Sequence, residues 1–428
     1  MTVTARIPSE TARRGGWPTA LFLGAFAVAC TEFVPVGLLP QIVNDLHITP
    51  GTAGQLVTAN ALALAVGAPI LAAVFAGADR RRVLMVTLTV FAAGHVMAGL
   101  APSYPVLLAS RLISGATMGL YLATAIATAA RLAPEPRRAR TIATIVAGVS
   151  TATALGVPVS TLLGQGLSWR LALGGLAVPA LVALALNHRL LPSLGGDESH
   201  SQRERFAALR GRPVLLGLGA IVVFWGASFT VFTYLAPLLH ARAGLGGAAV
   251  TGVLFLAGLG AVAGNLLGGR LADARPRAAL AGTAAVTAAA LLLILPATSS
   301  PLGAVVLVAI WQLAAWSFVP VIQSVLFRAA GPGGELALSF AVSGFNIGIV
   351  IGAGLGGVAI DRAGLSAVAA LGGGLSVMAL ALVVSLIRAR PGPGTRIRAG
   401  RPCPHRLAGA SGPPATTVGP VRNPDPWE

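Results

Sequence analysis

The chain has 428 residues, of which 55% are hydrophobic and 10% are charged, and its mean hydropathy is +0.81. A soluble protein would carry roughly 25% charged residues. The composition therefore excludes a water-soluble globule, and it is also unlike fibrous, secreted disulfide-rich and disordered chains. The formal net charge is +17. The basic residues are arginines in short clusters between apolar runs, which is typical of membrane topology and not of a nucleic-acid-binding surface.

Apolar runs of about 20 residues, the length that crosses a bilayer, follow one another along the chain. They cover residues 17–40, 52–75, 83–101, 105–130, 141–165, 170–191, 213–239, 248–270, 278–297, 301–328, 335–360 and 364–388. We therefore predict an all-α membrane protein with twelve transmembrane helices in two six-helix halves. The predicted segments are an N-terminus at 1–16, a first half at 17–191, a linker at 192–212, a second half at 213–388 and a disordered, basic, Pro-rich tail at 389–428.

The arginines are distributed unequally between the two ends of these runs. Twenty-six lie on one side, three (Arg170, Arg242 and Arg362) lie on the other, and Arg111 lies within the fourth run. Because positively charged loops stay in the cytoplasm, the N-terminus, the linker and the tail are predicted to be cytoplasmic. We expect a multi-pass protein of the plasma (inner) membrane.

The two halves are predicted to be one unit used twice. Asp79 follows the second run in GADRRRVL, and Asp273 follows the eighth run in GGRLADARPRAAL, an offset of 194 residues. The halves themselves begin at Trp17 and Pro213, an offset of 196 residues. The two offsets agree within the error of the run boundaries. Such pseudo-symmetric halves are typical of transporters in which one half rocks against the other around a central site.

Several segments resemble one known family. They are TEFVPVGLLP at 31–40, AGQLVTANALALAVGAP at 53–69, RLISGATMG at 111–119, LGVPVSTLLGQGLSWR at 155–170, FTYLAPLL at 232–239, GGRLAD at 268–273 and FNIGIVIGAGLGG at 345–357. Together they resemble the major facilitator superfamily, in the twelve-helix drug/proton antiporter family and its branch of arabinose-efflux and chloramphenicol-resistance proteins. The resemblance implies the superfamily's fold and secondary active transport, with proton-coupled efflux of a small neutral or weakly charged compound such as chloramphenicol. An arabinose-like sugar or metabolite exporter or uniporter is the alternative.

The loop after the second run departs from the family pattern G-x-L-A-D-R-x-G-R-R, because Phe75 stands where a glycine is expected and the x-G step is missing. The copy in the second half is closer to that pattern. We interpret both loops as a cytoplasmic gate in which a carboxylate faces a helix N-terminus; the alternative is that the arginines only fix topology. The predicted gate residues are Asp79, Arg80, Arg81, Arg82, Gly269, Asp273, Arg275 and Arg277.

Glu32 is the one acidic residue deep within a predicted run, and Arg111 is the one such arginine. A charged side chain in hydrocarbon is costly unless it is paired or neutralised, so both are candidates for function. Counting about 1.5 Å per residue places them at similar depth. We predict an ion pair or a water-bridged contact that loosens when Glu32 takes up a proton; a purely structural pair is the alternative. The family resemblance assigns Arg111, followed by Gly115, to proton coupling.

Polar and aromatic residues within the runs are predicted to line a substrate cavity, although each could instead bond a neighbouring helix. These residues are Asn60, Tyr121, Trp225, Tyr234, Trp311, Gln312, Trp316, Gln323 and Asn346.

Small residues at four-residue spacing predict close helix packing. These are Gly344, Gly348, Gly352 and Gly356, and also Gly148, Ala152 and Gly156. The resemblance assigns Gly148, Gly156, Pro158 and Gly164 to the family's antiporter motif, in which Ser160 replaces the usual glycine. By resemblance, the fifth and eighth runs and the second and eleventh runs meet across the halves, so we expect these faces to slide there; static packing is the alternative.

The sequence carries no catalytic signature. It has no nucleotide-binding G-x-x-x-x-G-K, no metal-spaced His/Cys cluster and no Ser/His/Asp set within the runs. We therefore predict no enzymatic activity, no cofactor and no metal, and the expected partners are a small-molecule substrate, protons and the lipid bilayer. We expect a functional monomer that does not bind nucleic acid. A non-transporting membrane sensor is the alternative from another class.

Overall fold

The computed structural model describes residues 16–75, 77–194, 211–331 and 334–389. Every regular element in these ranges is a helix. Ten of the described helices are long and apolar enough to cross a membrane by length and composition. The predicted all-α membrane fold is confirmed, whereas the predicted count of twelve is not. Most of the predicted N-terminus, residues 195–210 of the linker and the tail from residue 390 onwards lie outside the described residues.

The helices of the first half begin and end at local sequence signals. Thr49 caps the helix that starts at Pro50, and Asp79 caps the helix that starts at Arg80; both are residues that favour an N-cap. The first apolar run is interrupted at residues 30–33, just before Pro35. The elements are α1 Trp17–Ala29, α2 Val34–Leu46, α3 Pro50–Leu62, a π-helical turn Ala63–Gly67, α4 Ala68–Val74, α5 Arg80–Gly99, α6 Tyr104–Leu132, α7 Arg138–Gly166, α8 Trp169–Gly174 and α9 Ala177–Leu190.

The second half repeats the interrupted first helix, because its opening run also divides, at Thr233 and Tyr234. The elements are α10 Arg212–Phe232, α11 Leu235–Ala243, α12 Gly247–Ala274, α13 Pro276–Leu292, α14 Ile294–Ala297, α15 Pro301–Ala330 and α16 Gly334–Arg388. The α13 helix has 17 residues and is apolar but shorter than the ten candidate spans. This shortness is one reason for the lower count.

The second reason is that α16 contains two of the predicted spans. Its 55 residues break at Gly364, with φ 78° and ψ −173°; a continuous helix of that length would measure about 80 Å, far more than a bilayer core of about 30 Å. Before the break, α16 approaches Val222 at Gly348 and Thr230 at Gly356; after the break it returns past Val231 at Gly372. The two segments therefore run antiparallel along α10, with the turn at Gly364.

Two apolar cores correspond to the two halves. One consists of buried residues between Trp17 and Leu191. The other consists of buried residues between Val214 and Leu386, and it also takes in Phe33, Val36, Val57 and Ala61 of the first half. Contacts between the halves run between α7 and α12, between α3 and α16, and between α2 and α11. The expected meeting of the fifth with the eighth run and of the second with the eleventh is confirmed.

The turns between helices fall at two ends of the bundle. We call the end with the turns at residues 47–49, 101–103, 167–168, 244–246, 298–300 and 364 the arginine-poor end, since its arginines are Arg170, Arg242 and Arg362. The opposite end, with Asp79, Arg137 and Arg275 in its turns, is the arginine-rich end. The predicted orientation places the arginine-rich end in the cytoplasm.

Candidate functional site

The break between α1 and α2 is held by Arg111 of α6. Arg111 is 1% exposed. Its Nη1 donates to Thr31 Oγ1 at 2.6 Å, its Nη2 donates to the Thr31 carbonyl oxygen at 2.7 Å, and its Nε donates to the Leu56 carbonyl oxygen at 3.3 Å. A helix end leaves carbonyl groups without partners inside the helix. The buried guanidinium donates hydrogen bonds to Thr31 in the break. The break therefore gains hydrogen-bond donors, and the buried cation gains acceptors.

Glu32 follows the residue that Arg111 binds. Its side chain is partly buried, and its charge and that of Arg111 act on each other through space. Among the described residues the two side chains are not in ion-pair contact; the ion pair that the structure describes joins Arg170 to Asp45 at the arginine-poor end. Glu32 thus lies in the same break as the Thr31 groups that bind Arg111, without a direct salt bridge to that cation.

Polar groups continue from Arg111 along α6. Ser114 Oγ donates to Asn60 Oδ1 at 3.1 Å, and a Cβ at Gly115 would collide with the Asn60 backbone carbonyl. The π-helical turn at Ala63–Gly67 lies against the same helix, and such turns are frequent at functional sites. Gly115 therefore lets α3 and α6 approach closely next to Arg111.

His95 lies on α5, buried and 1% exposed. Its Nδ1 lies 2.9 Å from the Leu173 carbonyl oxygen, and its ring lies 4.4 Å from that of Phe91. These contacts are those of a packed histidine within the first half.

A cavity lies between the two halves next to the α1–α2 break. Aromatic side chains dominate its wall, and polar groups enter from Thr153, Ser228 and Gln312. The lining residues are Phe33, Thr153, Trp225, Ser228, Phe229, Phe232, Leu254, Ala257, Gly258, Ala261, Gln312, Ala315 and Trp316. Trp316 Nε1 donates to Gln312 Oε1 at 3.1 Å. None of these lining side chains is charged, so the wall favours an uncharged, largely apolar ligand.

Three of the nine predicted cavity residues, Trp225, Gln312 and Trp316, line this cavity. Tyr121 instead accepts a hydrogen bond from Asn187 inside the first half. Tyr234 packs against Gly54 of the other half and donates to the Ala353 carbonyl oxygen at 2.9 Å.

The four remaining predicted residues do not line this cavity either. Asn60 bonds Ser114, and Asn346 donates to Val342 of its own helix at 3.0 Å. Trp311 is fully buried, with its ring 6.3 Å from that of Phe232. Gln323 is partly buried.

The sequence analysis did not predict most of the residues that line the cavity, although one sequence pattern indicates some of them. Trp225, Ser228, Phe229 and Phe232 are spaced i, i+3, i+4 and i+7, which puts them on one face of α10. Phe33 directly follows Glu32 in TEFVP. In a helix that is apolar all round, an aromatic stripe does not by itself distinguish a cavity from a packed core.

The glycine faces pack within each half, contrary to the expectation that they meet across the halves. A Cβ at Gly348 would lie 2.6 Å from the Val222 carbonyl oxygen of α10, and a Cβ at Gly148 would lie 2.6 Å from the Phe22 carbonyl oxygen of α1. The same holds along both stripes: Gly344, Gly352 and Gly356 face α10, Gly156 faces Cys30, and Gly164 approaches Leu38. Pro158 lies within α7. Across the halves, close approaches are those of Gly258 to Ala154, of Gly51 to Gly357 and of Gly54 to Tyr234.

At the arginine-rich end, Asp79 binds groups of its own half. Its Oδ1 accepts from the Arg82 backbone N–H at 2.9 Å, and its Oδ2 accepts from the Leu194 backbone N–H at 2.9 Å. Arg81 donates to the His188 carbonyl oxygen, and the Arg80 backbone N–H donates to the Leu194 carbonyl oxygen. This half of the predicted gate therefore anchors the chain that follows α9. The predicted residues of the other half, Gly269, Asp273, Arg275 and Arg277, surround the turn between α12 and α13.

At the arginine-poor end, hydrogen bonds join the two halves. Thr49 Oγ1 donates to Asp361 Oδ2 at 2.8 Å, and the Gly51 backbone N–H donates to Asp361 Oδ1 at 3.0 Å. A carboxylate at a helix N-terminus is favoured by the helix dipole. Asp361 of α16 thus caps α3, a helix of the opposite half, and links the two halves at this end. The sequence prediction missed this contact because the partners are 310 and 312 residues apart.

The fold and the site together define a multi-pass helical membrane protein with two halves around a central cavity. The fold is similar to that of a bacterial homologue of the human lysosomal transporter Spinster, solved in an inward-facing and occupied conformation. The TM-score is 0.64 at 18% identity, covering 87% of this chain and 95% of that chain. At this identity the likeness concerns the fold alone.

Sequence comparison identifies the family. Residues 21–335 match the Major Facilitator Superfamily. The chain is 33% identical over 376 residues to the inner membrane transport protein YdhP of Escherichia coli (strain K12), covering 87% of this chain and 96% of that protein. It is 36% identical over 352 residues to a chloramphenicol resistance protein of Streptomyces lividans, covering 78% and 87%. It is 29% identical over 393 residues to the purine ribonucleoside efflux pump NepI of Salmonella paratyphi B, covering 91% and 98%. The chain belongs to the Major Facilitator Superfamily, whose members are transporters and not enzymes.

Proposed function

We propose that the protein exports a small neutral or weakly charged compound from the cytoplasm and that proton entry drives the export. The observation that carries the proposal is the position of Glu32. This carboxylate lies in a helix break inside the bundle, beside the buried Arg111 and directly before Phe33 of the cavity wall. The group that takes up a proton and the group that meets the substrate are thus adjacent in the chain.

The buried cation supplies a physical reason for coupling. Arg111 donates hydrogen bonds to Thr31 and Leu56, and none of these bonds involves the Glu32 carboxylate. When Glu32 is ionised, its attraction to Arg111 holds the break near α6. When Glu32 takes up a proton, that attraction disappears, and the chain from Glu32 to Phe33 is freer to move while Arg111 still holds Thr31. Protonation therefore changes the position of the segment that contacts the cavity, which is what coupling of two sites requires.

Alternating access requires the two ends to open in turn. Hydrogen bonds from α3 to Asp361 join the two halves at the arginine-poor end. We assign to them the closing of that end, so release of the substrate would require these contacts to break. We assign the complementary role at the arginine-rich end to the loops around Asp79 and Asp273. In this conformation Asp79 holds Leu194, and in the opposite conformation the loops would close the cytoplasmic side. The arginine asymmetry supports cytoplasmic termini and the inner membrane as the location.

Two relatives support export and the kind of substrate. One is a chloramphenicol resistance protein, and another is a purine ribonucleoside efflux pump. The uncharged cavity wall agrees with a neutral compound.

The test uses inverted membrane vesicles with an interior-acid pH gradient and labelled chloramphenicol or arabinose. We expect gradient-driven chloramphenicol uptake that Glu32→Gln abolishes. The matched control is Glu135→Gln, which removes an exposed carboxylate near the arginine-rich end and should leave uptake unchanged. Uptake of arabinose alone would select a sugar exporter. Uptake that ignores the gradient would contradict proton coupling, and no uptake of either compound would contradict the substrate proposal.

A further inference from the structure

Phe33 of the first half inserts into an aromatic cluster of the second half. Its ring centroid lies 5.3 Å from that of Phe229, 6.1 Å from that of Phe232 and 6.4 Å from that of Trp316. The Phe232 and Trp316 rings meet it edge-on, at 89° and 75°. These distances and angles are those of favourable aromatic pairs. Phe33 belongs by packing to the core of the second half although its backbone belongs to the first.

The wall around Phe33 contains buried polar groups without partners. Ser228 is 2% exposed and Trp225 is 5% exposed. Within the described part of the chain, the Ser228 hydroxyl and the Trp225 indole N–H have no hydrogen-bond partner, and both residues line the cavity. A buried polar group without a partner is unfavourable because it has lost its hydrogen bonds to water. Both groups donate hydrogen bonds, so a ligand with an acceptor atom would satisfy them.

We propose that Phe33 is a built-in occupant of the substrate site. Its ring fills the place that a planar, uncharged aromatic compound bearing a hydrogen-bond acceptor takes when it binds. The inference rests on the proposed function for the role of the site in export, but binding itself needs no gradient. The flat rings around Phe33 select a flat ligand, the uncharged wall selects a neutral one, and the free donors select an acceptor such as a carbonyl or nitro group.

Displacement of the Phe33 ring would also affect Glu32, the proposed proton-binding residue. Phe33 directly follows Glu32, and the segment is fixed one residue earlier, where Arg111 binds Thr31. A ligand that expels the Phe33 ring by moving its backbone rotates the chain between Thr31 and α2. That rotation moves Glu32 relative to Arg111, so binding of the compound and uptake of the proton act on the same short segment.

The ligand class is tested with the purified full chain in lipid nanodiscs without a pH gradient, by ligand-observed NMR titration. Acetophenone is planar and carries an acceptor, cyclohexyl methyl ketone carries the acceptor without the flat ring, and ethylbenzene carries the ring without the acceptor. Loss of one hydrogen bond of about 1.4 kcal/mol is a tenfold loss of affinity. We expect acetophenone to bind about tenfold more tightly than either of the other two. Equal affinities, or no saturable binding of acetophenone, would overturn the assignment.

The role of Phe33 is tested by Phe33→Ala. If the Phe33 ring competes with the ligand, its removal raises the affinity for acetophenone, because the binding-competent state is populated more often. If Phe33 is only part of the wall, its removal lowers the affinity. An unchanged or lowered affinity in a folded variant therefore overturns the proposal. The control is Phe345→Ala, which removes a ring 5.7 Å from that of Trp225 but outside the lining and should leave the affinity unchanged.

Further variants keep the result interpretable. Phe33→Leu removes the aromatic ring but keeps most of the apolar volume, and it replaces Phe33→Ala if that variant does not elute as a folded species. Ser228→Ala should weaken acetophenone binding but not ethylbenzene binding, and equal effects on both would contradict the donor role. Retained binding together with lost gradient-driven uptake would mean that the export proposal fails while this one stands. Gradient-driven uptake with no preference for aromatic probes would mean that the export proposal stands while the proposal for Phe33 fails.

Discussion

From the hydrogen bonds between Asp361 and α3 we predict the free energy that holds the arginine-poor end closed. Asp361→Ala removes two hydrogen bonds to a carboxylate, one from the Thr49 hydroxyl and one from the Gly51 backbone N–H. Hydrogen bonds to charged groups contribute about 1.5 to 3 kcal/mol each when buried. Asp361 and Thr49 are exposed, so we take about 2 kcal/mol for the pair of bonds together. This free energy changes the ratio of closed to open forms about thirtyfold.

The assay measures the distance between spin labels across this end. Ser103 lies in the turn before α6, Ser299 lies in the turn before α15, and both are exposed. Each is changed to cysteine in a chain in which Cys30 and Cys403 are alanine, and double electron–electron resonance gives the distance distribution. We expect Asp361→Ala to move population from the short to the long distance.

The control for this prediction is the neighbouring residue. Arg362→Ala removes an exposed charge next to Asp361 without removing the hydrogen bonds to α3. Its distance distribution should match that of the parent. If Asp361→Ala and Arg362→Ala give the same distribution as the parent, Asp361 does not hold the end closed and the reasoning fails.

Two further predictions concern helix packing and the cytoplasmic loop. Gly348→Leu should lower the thermal unfolding temperature in detergent, because a side chain there meets the Val222 backbone. The expected loss of unfolding free energy is about 1 to 3 kcal/mol. The control is Gly354→Leu on the same helix, whose side chain meets open space and should leave the unfolding temperature unchanged. Equal unfolding temperatures would contradict the packing argument. Asp79→Ala removes the cap of α5 and the bond to Leu194, and we expect vesicle uptake to fall while the amount of protein in the membrane stays unchanged. A parallel fall of both quantities would indicate a structural role only.

Some features of the site could be predicted from the sequence because they depend on the chemistry of single residues. A carboxylate and a guanidinium within apolar runs are costly in lipid, so Glu32 and Arg111 stand out without a structure. The partner of Arg111 could not be predicted in the same way. The guanidinium donates to the Thr31 hydroxyl and carbonyl oxygen, and the position of the helix break at Thr31 is not evident from the sequence.

The glycine stripes illustrate a different limit. Four-residue spacing correctly indicates a face that another helix approaches closely, and Gly344, Gly348 and Gly352 do lie on such a face. The spacing does not say which helix approaches. The partner proved to be α10 of the same half, and the interface between the halves uses other residues, such as Gly258 and Ala154.

The sequence by itself determined the fold class, because hydrophobic length and composition leave helices as the way to satisfy the backbone in a bilayer. It also determined the likeness of the two halves through the repeated loops at Asp79 and Asp273. Only the tertiary structure decided which side chains meet: Phe33 with Phe229 and Trp316, and Asp361 with Gly51. These partners are about 200 to 310 residues apart. Contacts at such separation follow from how the two halves dock, and local periodicity carries no information about docking.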